Sequence, residues 1–206
     1  VKPTIGWSII SCALLAFLAA CSPATVAGNG SEVTNGLVAS FAGPADSAMV
    51  IAFPAGYIPC SQNRDMPETT FTDNEGAFRM GLTDAAWNLL IYDRTGRLGA
   101  FAERRSGGAA MGLIRLDSLG AVACSTAALG MDSTNYVFAG IAGSPFYTKA
   151  VKGKSVIIGR VPPHGYRITL WVYSGKATAV PVLLADSVVA GATVTAGGAT
   201  RVVINR

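Results

Sequence analysis

Apolar and polar positions along the chain fall into three regimes. Residues 5–20 are almost wholly apolar, residues 22–35 are small and polar, and from residue 36 onward short apolar runs alternate with Gly, Pro, Asp and Asn. The runs are rich in Val, Ile, Phe, Tyr and Trp, which fit a pleated surface. They predict strands at 37–42, 47–53, 69–73, 77–82, 87–93, 98–103 and 111–116. A second series follows at 119–124, 135–141, 146–151, 154–159, 166–173, 178–184, 187–190 and 199–205. No window of useful length repeats every 3.6 residues, so the pattern predicts no helix after residue 21. Residues 82–90 begin like a short helix, but Asn88 and the aromatic continuation favour a strand.

The two series read as one pattern written twice. Trp87-Asn-Leu-Leu-Ile-Tyr-Asp-Arg-Thr-Gly96 aligns without a gap on Tyr166-Arg-Ile-Thr-Leu-Trp-Val-Tyr-Ser-Gly175. Ala48-Met-Val-Ile-Ala-Phe53 is similar to Asn135-Tyr-Val-Phe-Ala-Gly140. The stretch after Gly107-Gly108 matches the stretch after Gly197-Gly198. The expectation is an all-β chain of two tandem small antiparallel β-sandwiches, domain 1 over 36–117 and domain 2 over 118–206. The Gly pairs read as flexible lead-ins to the last strand of each half, not as phosphate loops, because no Lys-Ser/Thr or helix follows them.

The N-terminal regime is an address. Lys2 gives a positive start, the apolar run follows, and Leu18-Ala-Ala-Cys21 closes it. The layout is that of a secretory signal over residues 1–20, too short to read as a spanning helix. The four closing residues resemble the lipobox of bacterial lipoproteins. That resemblance implies cleavage before Cys21, a diacylglycerol on its thiol and an acyl chain such as palmitate on its amine. Each buried CH₂ of such chains contributes roughly 0.8 kcal/mol to membrane anchoring. Residues 21–35 then read as a lipidated, flexible tether, and Ser22 after the Cys points to the outer membrane of a bacterial envelope.

Composition narrows the partners. Charged residues make up 14% of the chain, and the basic ones are scattered, Arg104-Arg105 being the only adjacent pair among them. A nucleic-acid surface needs a clustered basic stripe, so none is expected. Of the four cysteines, Cys12 leaves with the signal and Cys21 takes lipid. Cys60 and Cys124 remain, either as a disulfide in an oxidising compartment or as two separate thiols. A bridge between them would contribute ~4 kcal/mol by chain entropy.

The first half resembles the carboxypeptidase regulatory-like domain, which has a transthyretin-like β-sandwich. The matching residues are Gly36-Leu-Val, Ala48-Met-Val-Ile-Ala-Phe-Pro54 and Thr70-Phe-Thr-Asp-Asn-Glu-Gly-Ala-Phe78. The family's Pro-Pro-Gly-x-Tyr lead into a long strand occurs in the second half as Val161-Pro-Pro-His-Gly-Tyr166. Each half carries only part of the family's pattern: Leu82-Thr-Asp-Ala-Ala-Trp87 replaces the prolines in the first, and Lys149-Ala-Val-Lys-Gly153 replaces Thr-Asp in the second. Asp73 is expected to form an Asx turn, with Gly76 at positive φ closing a hairpin and Phe78 turning inward. Tyr166 is expected to be a corner tyrosine bonded to backbone. The resemblance implies a mostly non-catalytic accessory module.

The residues themselves carry no catalytic signature. His164, the one histidine, stands in a Pro-His-Gly context that reads as an exposed turn. Ser144 would be the nominal nucleophile of a triad, but its surroundings are not Gly-x-Ser-x-Gly. No metal-ligand or cofactor motif is present. Alternation over 166–173 puts Arg167, Thr169, Trp171 and Tyr173 on one face, with Asn88, Leu90, Tyr92 and Arg94 matching them in the first half. Arg167, Trp171, Tyr173 and Tyr92 are therefore a candidate binding face for a sugar or protein partner; the competing reading packs them against neighbouring strands or into the seam between the sandwiches. The break at 55–67 is the longest in the pattern. The functional expectation is a non-catalytic envelope lipoprotein that binds polysaccharide or another envelope protein. The alternatives are an accessory protein of a carbohydrate- or peptide-degrading system, or a hydrolase with an unrecognised carboxylate pair.

Overall fold

A computed structural model describes residues 31–59, 66–83, 85–125, 135–151, 153–175 and 183–204. The signal, Cys21, Cys60 and the expected strand residues 178–182 lie outside the described residues. The described part contains no helix, and so none long and apolar enough to cross a membrane. Its strands in chain order are β1 (Ser31–Ser40), β2 (Gly43–Pro44), β3 (Met49–Pro54), β4 (Glu68–Phe71), β5 (Ala77–Thr83), β6 (Ala86–Tyr92), β7 (Leu98–Ser106) and β8 (Ala110–Arg115). They continue as β9 (Asp117–Ser118), β10 (Gly120–Ser125), β11 (Asn135–Ile141), β12 (Tyr147–Lys149), β13 (Ser155–Val161), β14 (His164–Ser174), β15 (Leu183–Val194) and β16 (Ala199–Val203).

These strands form four sheets on one plan used twice. Sheet A places β1 between β5 and β8, with β2 at one end of β1; sheet B runs β4-β3-β6-β7-β9. In the second half, sheet C places β10 between β13 and β16, and sheet D runs β12-β11-β14-β15. The fold is all-β and built of sandwiches. Strand β5 shows why: Phe78, Met80 and Leu82 alternate inward and meet Val50, Trp87, Leu89 and Ile91 of sheet B. The sheets are not wholly antiparallel. β8 runs parallel to β1, and β16 runs parallel to β10. Each closing strand reaches the first strand of its half by crossing from the opposite sheet, so the two can run in the same direction.

Three further expectations change. The tether does not extend to residue 35, because β1 begins at Ser31 and pairs with β5 from Ser31↔Thr83. Thr34 is fully buried and accepts a bond from Gly108 N at 3.1 Å. The strands expected at 178–184 and 187–190 are, from Leu183 on, one strand, β15, with a register shift opposite Ile168/Thr169. The turn after Thr72 is not a hairpin: β4 pairs with β3, while β5 pairs with β1, so residues 72–76 carry the chain from sheet B to sheet A.

The local chemistry of that corner is as the residues predict. Asp73 Oδ1 accepts Glu75 N at 3.0 Å and Ala77 N at 2.8 Å. Gly76 has φ +78°, and a Cβ there would collide with the Val38 carbonyl oxygen. Only glycine suits both the dihedral and the space. Buried Thr72 ties the corner down, accepting Ala48 N at 2.8 Å and donating to Ala45 O.

Two further bonds mark the repeat. Tyr166 Oη donates to Pro162 O at 2.7 Å, and Trp87 Nε1 donates to Thr83 O at 3.1 Å. Each aromatic thus pins the backbone four residues before it, at aligned positions. The strand pairs beside them are offset, since Met49 faces Tyr92 but Tyr136 faces Tyr173. That is a two-residue slide relative to the gap-free alignment, and a slide of two keeps every side chain on its own face.

Candidate functional site

Residues 31–206 form one compact unit, and the reason lies in β6. Its sequence Trp-Asn-Leu-Leu-Ile is buried on both faces. Trp87, Leu89 and Ile91 face the first core. Leu90, with Phe53 of β3 and Phe101 of β7, joins the core of the second half. Asn88, 2% exposed, donates through Nδ2 to Gly143 O at 2.7 Å. Gly143 has φ +66°, and a Cβ there would strike that amide. The outer face of sheet B is therefore a seam between the halves.

The candidate binding face of the sequence lies along this seam and is largely covered. Trp171 is 1% exposed, packed so closely on Gly140 that a Cβ there would strike its ring. Tyr173 is 2% exposed and donates to Pro59 O. The first part of the 55–67 break lies against sheet D and removes these two rings from solvent. Tyr92 is half-buried and donates to Arg160 O at 3.0 Å. Arg167 alone of the four is exposed; its guanidinium sits 3.4 Å from Glu103. The four residues do not form an open aromatic surface, because alternation assigns a face but does not say what covers it.

His164 is also displaced from its expected place. It opens β14, half-buried, 3.7 Å from Glu103 and in edge contact with Phe101 and Tyr166. Ser144 is fully buried; its Oγ donates to Ile141 O at 2.9 Å and accepts Phe146 N at 3.2 Å. Its hydroxyl proton is thus held by backbone. Cys124 is a free thiol in the second core, and burial pushes it up to about 11. The thiolate is the reactive form, and burial disfavours it at Cys124. Its suggested partner Cys60 lies outside the described residues.

Where the second half stops covering sheet B, the seam opens into a cleft of about 830 Å³. Met49, Ile51 and Phe71 form an apolar floor, and Phe71 is 62% exposed. Pro145 and Phe146 supply the far wall. The rim is the turn after β6. Asp93 Oδ1 accepts Arg97 N at 2.7 Å and Leu98 N at 2.8 Å, and Oδ2 accepts Thr95 N at 3.3 Å. Desolvation acts to raise the Asp93 carboxyl, but these bonds together with the Thr95 hydroxyl outweigh it and hold it below the usual range.

Arg160 closes the rim from the second half. Val161 pairs with Gly120 and Gly159 with Ala121, so Arg160 is the extra residue of a β-bulge, at φ +59°. The bulge turns its guanidinium out to Gly96 O at 2.8 Å while its own carbonyl takes the Tyr92 hydroxyl. Among the described residues only Ser47, φ +53°, and Arg160 are non-glycine positions in the left-handed region, and both line this cleft. Such strain costs of order 1–3 kcal/mol and gathers at functional sites. Part of this site is legible in the sequence: the candidate Tyr92, with Leu90 and Arg94 of the same alternating face, lines the cleft. The rest is not, because Gly159-Arg160-Val161 carries no mark of a bulge.

No family model matches the chain, and no curated protein matches it. Solved structures show distant likenesses. A leucine-rich repeat protein from Bacteroides thetaiotaomicron is 11% identical over 86% of this chain and 26% of its own, with a TM-score of 0.28. A DUF3823 family protein from Bacteroides ovatus is 7% identical over 85% of this chain and 100% of its own, TM-score 0.30. A Bacteroides uniformis protein provisionally described as carbohydrate-binding is 7% identical over 78% and 98%, TM-score 0.27. This chain spans about a quarter of the first of these. Likenesses at this level carry no argument about function.

The Tyr92–Arg160 bond makes a pH prediction. Burial raises the Tyr92 hydroxyl to about 12, against an ordinary value near 10. A folded-state value above the unfolded one stabilises fully below pH 10 and is lost as pH rises from 10 towards 12. Tyr92→Phe is expected to lower stability by about 0.5–1.5 kcal/mol at pH 7. In urea titrations the difference from the parent should shrink above pH 10; a difference constant to pH 12 would contradict this role.

Proposed function

We propose that this protein is a non-catalytic lipoprotein of a bacterial envelope, held at the outer membrane through lipid on Cys21, that binds a polysaccharide or envelope protein in the seam cleft. The two halves are read as a tandem of carboxypeptidase regulatory-like domains, supported by the Asx corner at Asp73 and the corner tyrosine Tyr166. The observation that carries the binding reading is the cleft itself. Its apolar floor leaves Phe71 exposed and Met49 and Ile51 half-buried, beside Phe53 and Leu90 of the same face, which the second half buries. Exposed contiguous apolar surface rimmed by polar groups is typical of interaction sites. The non-catalytic reading is supported by Ser144, whose hydroxyl is bound into its own turn.

Binding and anchoring are tested separately. The full chain is expected to be retained on insoluble polysaccharide or peptidoglycan, and Phe71→Ser to lose most of that retention while unfolding at the same urea concentration. Phe71 is exposed, so its loss removes contact area without opening the core. Retention unchanged in Phe71→Ser would move the site elsewhere. In cells, Cys21→Ser should shift the protein from the membrane to the soluble fraction; a protein still in the membrane fraction would refute lipid anchoring.

A further inference from the structure

A second, smaller pocket of about 140 Å³ lies on the outer face of sheet D, and nothing in the seam cleft depends on it. It is lined by Thr169 and Trp171 of β14, Asp186 and Val188 of β15, and Tyr57. The register sets Asp186 directly opposite Trp171, and Val188 opposite Thr169, so the four side chains share one face. Opposite positions bring Cβ atoms within about 5 Å, and diagonal ones within about 8 Å.

Thr169 and Ser187 are the two described residues whose buried hydroxyls lack a partner, and of the two only Thr169 lines the pocket. Thr169 is 4% exposed, and its Oγ1 has no hydrogen-bond partner. A buried hydroxyl left unmade costs about 1–3 kcal/mol, whereas valine would fill the same space without that loss. Asp186 is exposed at the mouth and has no ion pair among the described residues. Among the described residues no Lys or Arg lines the pocket. One carboxylate, one unsatisfied hydroxyl and two aromatic rings meet there on an otherwise carbon surface.

We infer that this pocket takes a primary alkylammonium group, carried by a lysine side chain or a free amine. The carboxylate supplies the counter-charge, Thr169 Oγ1 accepts an N–H, and aromatic rings attract a cation through their quadrupoles. The carbon lining suits an alkyl stem. A sugar ring would bring many hydroxyls to a lining with few partners, and each would lose its water. A single water would satisfy Thr169, but the volume exceeds what one water needs.

The test is an NMR titration of the full chain in nonionic detergent, read at the Trp171 indole N–H. The probes are n-butylamine, Nα-acetyl-lysine methylamide, its Nε-acetylated counterpart and glucose. The two charged amines are expected to shift the resonance saturably, and the acetylated probe and glucose to leave it in place. Tighter binding of the lysine probe than of butylamine assigns a peptide source, and equal binding a free amine. Asp186→Asn should weaken binding at least tenfold. Thr169→Val should weaken it too, with no fall in melting temperature, since it removes an unsatisfied group. No shift with either amine, a shift with glucose, an equal response to the acetylated probe, or an unchanged affinity in Asp186→Asn would each overturn the assignment.

Discussion

The structure depends on the burial of one sheet face. The outer side of sheet B carries Phe53, Leu90 and Phe101, and an isolated first sandwich would leave them in water. Each such side chain, once buried, contributes about 1.5–3 kcal/mol. The polar contacts across the same seam are worth less. The Glu103 pairs with Arg167 and His164 are partly exposed and screened, and such pairs contribute at most about 1 kcal/mol. Apolar burial therefore joins the halves. Directional bonds such as Asn88 to Gly143 and Tyr92 to Arg160 fix how they meet.

The same arrangement creates the cleft. Sheet B is apolar farther than the second half reaches: Phe53 and Leu90 are buried, Met49 and Ile51 half-buried, and Phe71 exposed. The strained bulge at Arg160 sits where cover gives way to opening. Its backbone and guanidinium both grip the first half, so its unfavourable φ is sustained by contacts that span the seam. Bulges of this kind re-aim a side chain that a regular strand would send elsewhere. Scaffold and site are thus two ends of one surface.

Much of this was legible in the chain. The rhythm of short apolar runs marks most strands, and the duplicated pattern anticipates the repeated sheet plan. The corner at Asp73 and the tyrosine at 166 follow from local bonding that needs only neighbouring residues. What was not legible is what lies over a face. Period-two alternation separated Arg167, Thr169, Trp171 and Tyr173 from the core side, but residues 55–59, distant in sequence, decide that Trp171 and Tyr173 are buried. Strand β6 did carry a signal, since Leu-Leu-Ile without alternation is what a strand buried on both faces looks like. The sheet crossing after Thr72 was misread as a hairpin because a tight Asx turn looks the same locally in both. The bulge at Arg160 and the unpartnered Thr169 depend on pairing across strands and have no local signature.

The central claim is that one core drawn from both halves makes residues 31–206 a single cooperative unit. Trp87 reports from the first core and Trp171 from the seam face of the second half, so fluorescence can separate them. In full chains carrying Trp7→Phe, with either Trp87→Phe or Trp171→Phe added, equilibrium urea unfolding is expected to give a single transition. After correction for each substitution's own shift, as read by far-UV circular dichroism, the Trp87 and Trp171 signals should follow it together. Two separated transitions, with one half remaining folded after the other has lost its signal, would contradict the account.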